Sequence, residues 1–159
     1  MVESALTADL AQDRLLAYLS ETLVALPKEF GLALRSDNPE LAAFREIATA
    51  APYDDNDHSG RGPVDLTVDY WVTGVPEGRI AVALGMIRDI WTARGWRAVG
   101  RPDHVTARTA DRYTFDVQGA LTGDGVFIDG GLSIEGRSPQ YPGPIRNPRH
   151  TLPFILERP

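Results

Sequence analysis

The sequence predicts an α+β fold, with N-terminal helices and one further helix packed on one face of a mostly antiparallel four-stranded sheet. Three observations lead there. Leu16, Leu19, Leu23 and Leu26 recur at the three- and four-residue steps of a helical face. Residues 64–73 alternate apolar and polar with a period of two, as a half-buried strand does. A second amphipathic stretch, 77–94, sits between two strand-like segments. The element order α-α-β-α-β-β-β then places the helices together over one sheet face.

The first helix begins with Thr7 as its cap and stops at Pro27, because proline lacks the amide that the next turn needs. Asn38, Pro39 and Glu40 form a helix start signal, with Leu41, Phe44 and Ile47 as the apolar face of a second helix that fades before Pro52. Residues 53–63 read as a loop. In the strand 64–73, Val64, Leu66, Val68, Tyr70 and Val72 form the core face, leaving Asp65, Thr67, Asp69, Trp71 and Thr73 opposite. Ile80, Leu84, Ile87 and Trp91 line the third helix, and Gly95 is placed to end it. Strands follow at 96–101, at 105–109 with 113–119 (one long strand or two pieces), and at 126–135 after the turn at 122–125. Gly130 and Gly131 mark a bulge or a second turn.

Residues 1–136 thus read as one α+β domain and 137–159 as an extended tail. The tail holds six of the 12 prolines and ends in Leu152, Phe154, Ile155 and Leu156, an apolar tip expected to dock on the domain's own sheet or helices. The length of 159 residues is that of a single domain.

Hydrophobic residues make up 43% and charged residues 24%, enough apolar content to form a core. Sixteen basic residues against 22 acidic ones give a net charge of −6, which disfavours nucleic-acid binding by a general cationic surface. Lys28 is the single lysine; the arginines are scattered along the chain and read as the coding bias of a GC-rich genome. With no cysteine, disulfides, thiolate metal sites and a cysteine nucleophile are excluded. No apolar run approaches a membrane span and the first ten residues lack a signal-peptide pattern, so a cytoplasmic location is expected, with export as the alternative if a leader has been removed.

Candidate chemistry is sparse. Asp55, Asp57, Ser59 and Gly60 begin like a calcium loop, but its twelfth position is Leu66 rather than a bidentate Glu. Turn-forming chemistry explains the same composition. Asp55, Asp57 and His58 are the only metal candidates, and the remaining histidines, His104 and His150, are not brought together by any visible pattern. Phosphate-loop, dinucleotide, zincin and nucleophile-elbow motifs are lacking, so no cofactor is expected. Trp91 and Trp96 read as core. Trp71 lies on the polar face of its strand beside Asp69 and Thr73, either covered by the Pro-rich tail or serving as an interface anchor.

Tyr70-Trp71 with Gly74-Val-Pro76, the helix end Trp91-Thr-Ala-Arg-Gly-Trp96, Val105-Thr-Ala-Arg-Thr109, the 113–117 strand and Ser138-Pro-Gln-Tyr-Pro142 together resemble a set of small actinobacterial lipoprotein-like proteins. The likeness covers about half the chain. It implies an α+β fold and a non-enzymatic role. Members often carry Cys after the Ser-Pro pair, where this chain has Gln140, and a leader with a lipidated Cys. Neither the disulfide nor the anchor is therefore carried over.

The resulting expectation is a non-catalytic, partner-binding protein of the accessory, adaptor or immunity type. It would recognise another protein or a second copy of itself through Trp71, Asp69, Thr73 and Phe154. The alternative is a small-molecule- or metal-binding domain, or a hydrolase, with its site at the 53–62 loop.

Overall fold

The computed structural model describes residues 5–159. Along the chain run α1 (Ala8–Ala25), β1 (Gly31–Ala33), β2 (Thr49–Pro52), β3 (Val64–Thr73), α2 (Ile80–Ala93), β4 (Arg97–Arg101), β5 (His104–Arg108), β6 (Thr114–Leu121), β7 (Phe127–Arg137) and β8 (Ile155–Leu156). Among the described residues two helices and eight strands thus replace the expected three helices and four strands. The α+β character stays, with every strand pairing antiparallel.

The sheet runs β4-β5-β6-β7-β3-β1-β8. One edge of β3 is paired over residues 67–71 with β7. The other edge is shared by two short strands, β2 against residues 64–67 and β1 against residues 71–73. Val64, Leu66, Val68, Tyr70 and Val72 are all buried, and they face the helices together with Leu132 and Ile134 of β7 and Phe115 and Val117 of β6. Thr7 caps α1 as expected, its Oγ1 accepting from the Leu10 amide at 3.2 Å. The buried stripe of α1 is centred on Leu15, Tyr18, Leu19 and Thr22, one position round from the expected Leu16. The α2 stripe is as expected, and Trp91 closes an aromatic cluster with Trp96, Phe115 and Tyr18. Its indole N–H is satisfied inside the core by Thr22 Oγ1 at 3.1 Å.

The second helix does not form. Asn38 Oδ1 accepts from the Glu40 amide at 3.0 Å, an Asx turn that offers the backbone a local alternative to the helix. Of the expected apolar face, Phe44 packs on the Trp71 ring while Ile47 stays exposed, so no continuous stripe is buried to support a helix. The segment 34–48 instead folds over the sheet and leads into β2. Gly130 makes that crossing possible. It holds φ at +77°, and an added Cβ would stand 2.7 Å from Asn38 Cβ. Its carbonyl accepts from Ser36 Oγ at 2.6 Å. Residues 104–121 resolve into two strands, β5 and β6, and β7 runs through Gly130–Gly131 opposite a register shift in β6.

The Pro-rich segment is part of the fold. Tyr141 bridges to Val64, the His150 carbonyl accepts from Gln12, and the Pro153 carbonyl accepts from the buried Tyr70 hydroxyl at 2.8 Å. Leu152 and Leu156 are buried, whereas Phe154 and Ile155 are exposed. β8 then adds to β1, and Arg158 reaches the end of α1. Its guanidinium donates to the carbonyls of Leu23, Leu26, Pro27 and Phe30 at 2.7, 3.2, 2.6 and 3.0 Å. α1 has no basic residue in its own last turn, so this distant arginine supplies both the hydrogen bonds and the positive charge that a helix C-terminus favours. Among the described residues no helix is long and apolar enough to cross a membrane.

Replacing Arg158 with Ala is expected to lower unfolding free energy by roughly 2 kcal/mol in urea titrations, with Arg158→Lys recovering less than half of the loss. A loss below about 0.5 kcal/mol would mark the contact as an ordinary surface interaction.

Candidate functional site

Because strand side chains alternate, a sheet that gives one face to α1 and α2 must present the other set of residues on its opposite face. Register then decides which of them stand side by side. One cross-strand row is Arg97–Arg108–Thr114–Arg137–Thr67, running from β4 to β3. The next row, two residues along each strand and so about 7 Å away, is Val99–Thr106–Asp116–Glu135–Asp69. A third row continues Arg101–His104–Gln118–Ser133–Trp71. A cationic row therefore lies against a row of three carboxylates on adjacent strands.

The carboxylates differ in their partners. Asp116 accepts from Thr106 Oγ1 and lies 3.0 Å from His104 Nε2, which points its donor at the carboxylate. Glu135 is reached by Arg137 at 3.6 Å, and the same guanidinium is 3.8 Å from Asp65. Asp69 sits at the inner end of the row. Burial pushes its carboxyl up to about 6, with the neighbouring Glu135 charge adding to the rise and Arg137 opposing it. Burial also raises Glu135, against the pull of Arg137 and with a further push from Asp116. Desolvation raises Asp65 as well, against Arg137.

Trp71 belongs to this face but is not free on it. Phe44 stacks on its ring with centroids 4.6 Å apart, its Nε1 donates to the Ala42 carbonyl at 3.0 Å, and it is left 9% exposed. The cover is the 34–48 segment and not the Pro-rich tail, which runs on the helix side past Tyr70. Asp69 is half-buried beside Trp71. Thr73 stands at the rim opposite Gly31. Phe154 is exposed two strands away, where its carbonyl accepts from the Leu34 amide, so these four residues do not form one patch.

The 53–62 loop is organised by its own turns. Asp54 Oδ1 accepts from the Asn56 amide, while Asp57 Oδ1 accepts from both the amide and hydroxyl of Ser59 at 2.9 and 2.7 Å. Those bonds hold the Asp57 carboxyl below the usual carboxylate range. Asp55 and His58 are exposed on the loop surface. Among the described residues no group of three or more His, Asp or Glu is placed to hold a metal ion.

Asp116, Glu135, His104, Arg108 and Arg137 were not singled out by the sequence. The alternation of β5, β6 and β7 assigns them to the polar side, but which of them meet depends on strand register. No family model matches the chain, and no curated protein or solved structure is significantly similar to it.

The raised Asp69 carboxyl has a definite pH consequence. Its native value lies above the unfolded value near 4, so between about pH 4 and 6 the native state holds more protons than the unfolded one, and stability falls as pH rises through that window. Asp69→Asn removes the charge that burial penalises. The variant is expected to be about 1–2 kcal/mol more stable than wild type at pH 7.5, after allowance for partial exposure, and equal to it below about pH 4. Urea titrations at the two pH values check this, and a variant less stable at pH 7.5 would contradict it.

Proposed function

We propose that the chain is a non-catalytic partner-binding protein, of the accessory, adaptor or immunity type, and that it recognises its partner through the helix-free face of its sheet over β4 to β7. The observation that carries this reading is the pair of charge rows, cationic Arg97–Arg108–Arg137 beside anionic Asp116–Glu135–Asp69, on a face that no helix covers among the described residues. A banded pattern of both signs is suited to fixing the orientation of a partner, because a shifted or rotated partner brings like charges together. The surface is also rigid, since each charged side chain projects from a strand paired on at least one edge, so little backbone ordering is needed on binding. With Trp71 covered by the 34–48 segment, the residues proposed as anchors are the charged side chains of β5 to β7.

The test is a comparison of surfaces. Arg108→Glu with Gln118→Arg alters two exposed positions of the open face, whereas Arg88→Glu alters the outer side of α2. A partner captured by the wild-type protein from its native source, or a second copy seen by native mass spectrometry, is expected to bind the open-face variant at least about tenfold more weakly and the α2 variant unchanged. Association should slow as salt is raised. Equal loss in both variants, or no loss in the first, would move the interface off this face.

A further inference from the structure

At one end of the open face the cationic row borders a concave space of about 470 Å³. Arg108, Thr114 and Arg137 line it from the sheet together with Asp65 of β3, Arg112 lines it from the β5–β6 turn, and Tyr53 lines it from the segment after β2. Three arginines thus line one space whose walls include a single carboxylate residue, in a chain whose net charge is −6. Arg137 is engaged by Asp65 at 3.8 Å and by Glu135 at 3.6 Å, whereas among the described residues neither Arg108 nor Arg112 lies within 4.0 Å of a carboxylate.

Two features of this arrangement work against the stability of the protein alone. Arg97 and Arg108 are directly opposite each other across β4 and β5, and like charges so placed repel. Arg112 holds φ at +70°, in the left-handed region that side chains with a Cβ seldom occupy. Glycine would occupy that position without strain, so what arginine adds at 112 is its side chain over the cleft. Such local conflicts cluster where a site is built for a ligand. A bound anion would relieve the repulsion, and guanidinium groups arriving from two strands and a turn match a tetrahedral, doubly charged acceptor better than a planar carboxylate, which one fork satisfies.

We propose that this cleft binds a phosphate-type oxyanion, either free phosphate or the phosphate of a small ester, held by Arg108, Arg112 and Arg137 with the Thr114 hydroxyl between the two strand arginines. The volume leaves room beyond a lone phosphate for a small organic group, within the range of small-molecule sites. The oxyanion site does not rest on the partner-binding reading; the cleft shares Arg108 and Arg137 with that surface, and titration of the isolated protein tests the cleft alone.

Thermal unfolding and isothermal titration calorimetry at pH 7.5 and constant ionic strength test it, with inorganic phosphate, ribose 5-phosphate and acetate as probes and sodium chloride as the balancing salt. For the wild-type protein Tm should rise with the logarithm of phosphate concentration and stay flat with acetate. Arg108→Gln and Arg112→Gly should each weaken phosphate binding at least about tenfold, and Arg88→Gln should leave it unchanged. Arg112→Gly has a second readout. Its unliganded Tm should equal or exceed that of wild type because the strained φ is relieved, which separates loss of binding from loss of folding. Tighter binding of ribose 5-phosphate than of phosphate assigns the cleft to an ester, and the reverse order assigns it to the free ion; both support the site. A phosphate response no larger than that of acetate, or one that survives in both arginine variants, overturns it.

Discussion

Strand alternation in β3 is the constraint on which the rest depends. Five apolar side chains on one side of this strand are buried against α1 and the core, so the strand cannot rotate or slip by one residue without exposing all five. That commitment fixes the outward positions of Asp65, Thr67, Asp69, Trp71 and Thr73. Through β7 it passes the same parity to β6, β5 and β4. Burying a hydrophobic face thus specifies, as a by-product, a polar face whose composition is set residue by residue.

The polar face shows what register adds to parity. Arg97, Arg108 and Arg137 are far apart in sequence, yet antiparallel pairing draws them into one row, and the same pairing assembles Asp116, Glu135 and Asp69 beside it. A net charge of −6 says nothing about such a division, because it averages over two bands that differ in sign. Desolvation acts most on the inner end of the anionic row, where the 34–48 segment and Trp71 crowd Asp69, while the arginines remain at the wet margin. The same surface therefore offers a half-buried carboxylate and freely hydrated guanidinium groups within a short distance of each other.

Legibility in the sequence follows from whether the signal is local. The α1 cap at Thr7, the α2 stripe, the β3 alternation and the turn at 122–125 each depend on neighbours within a few residues, and each is visible. β1, β2 and β8 contain three, four and two residues, too short for a period to register, and they exist because β3 and β1 have edges to fill. The apparent helix start at Asn38 fails for the same reason in reverse. Its Asx turn is local, but its outcome is decided by Gly130 and Trp71, which meet it only in the folded chain. The charge rows were hidden because pairing, not composition, creates them. The acidic loop at 53–62 stands out by concentration alone, and the carboxylates of Asp54 and Asp57 are occupied in shaping its turns.

The arginine clasp at the end of α1 gives the protein an order of assembly. The helix made from the earliest part of the chain keeps several terminal carbonyls waiting for a guanidinium 135 positions downstream, and the strand β1 waits nearly as long for β8. Contacts so distant in sequence slow the final step of folding, since a long loop must close before they give any return. During synthesis on the ribosome, the amino-terminal half must therefore persist with an open flank until residues 155–158 emerge from the exit tunnel. In that interval β1 presents an uncovered strand edge with unpaired backbone groups.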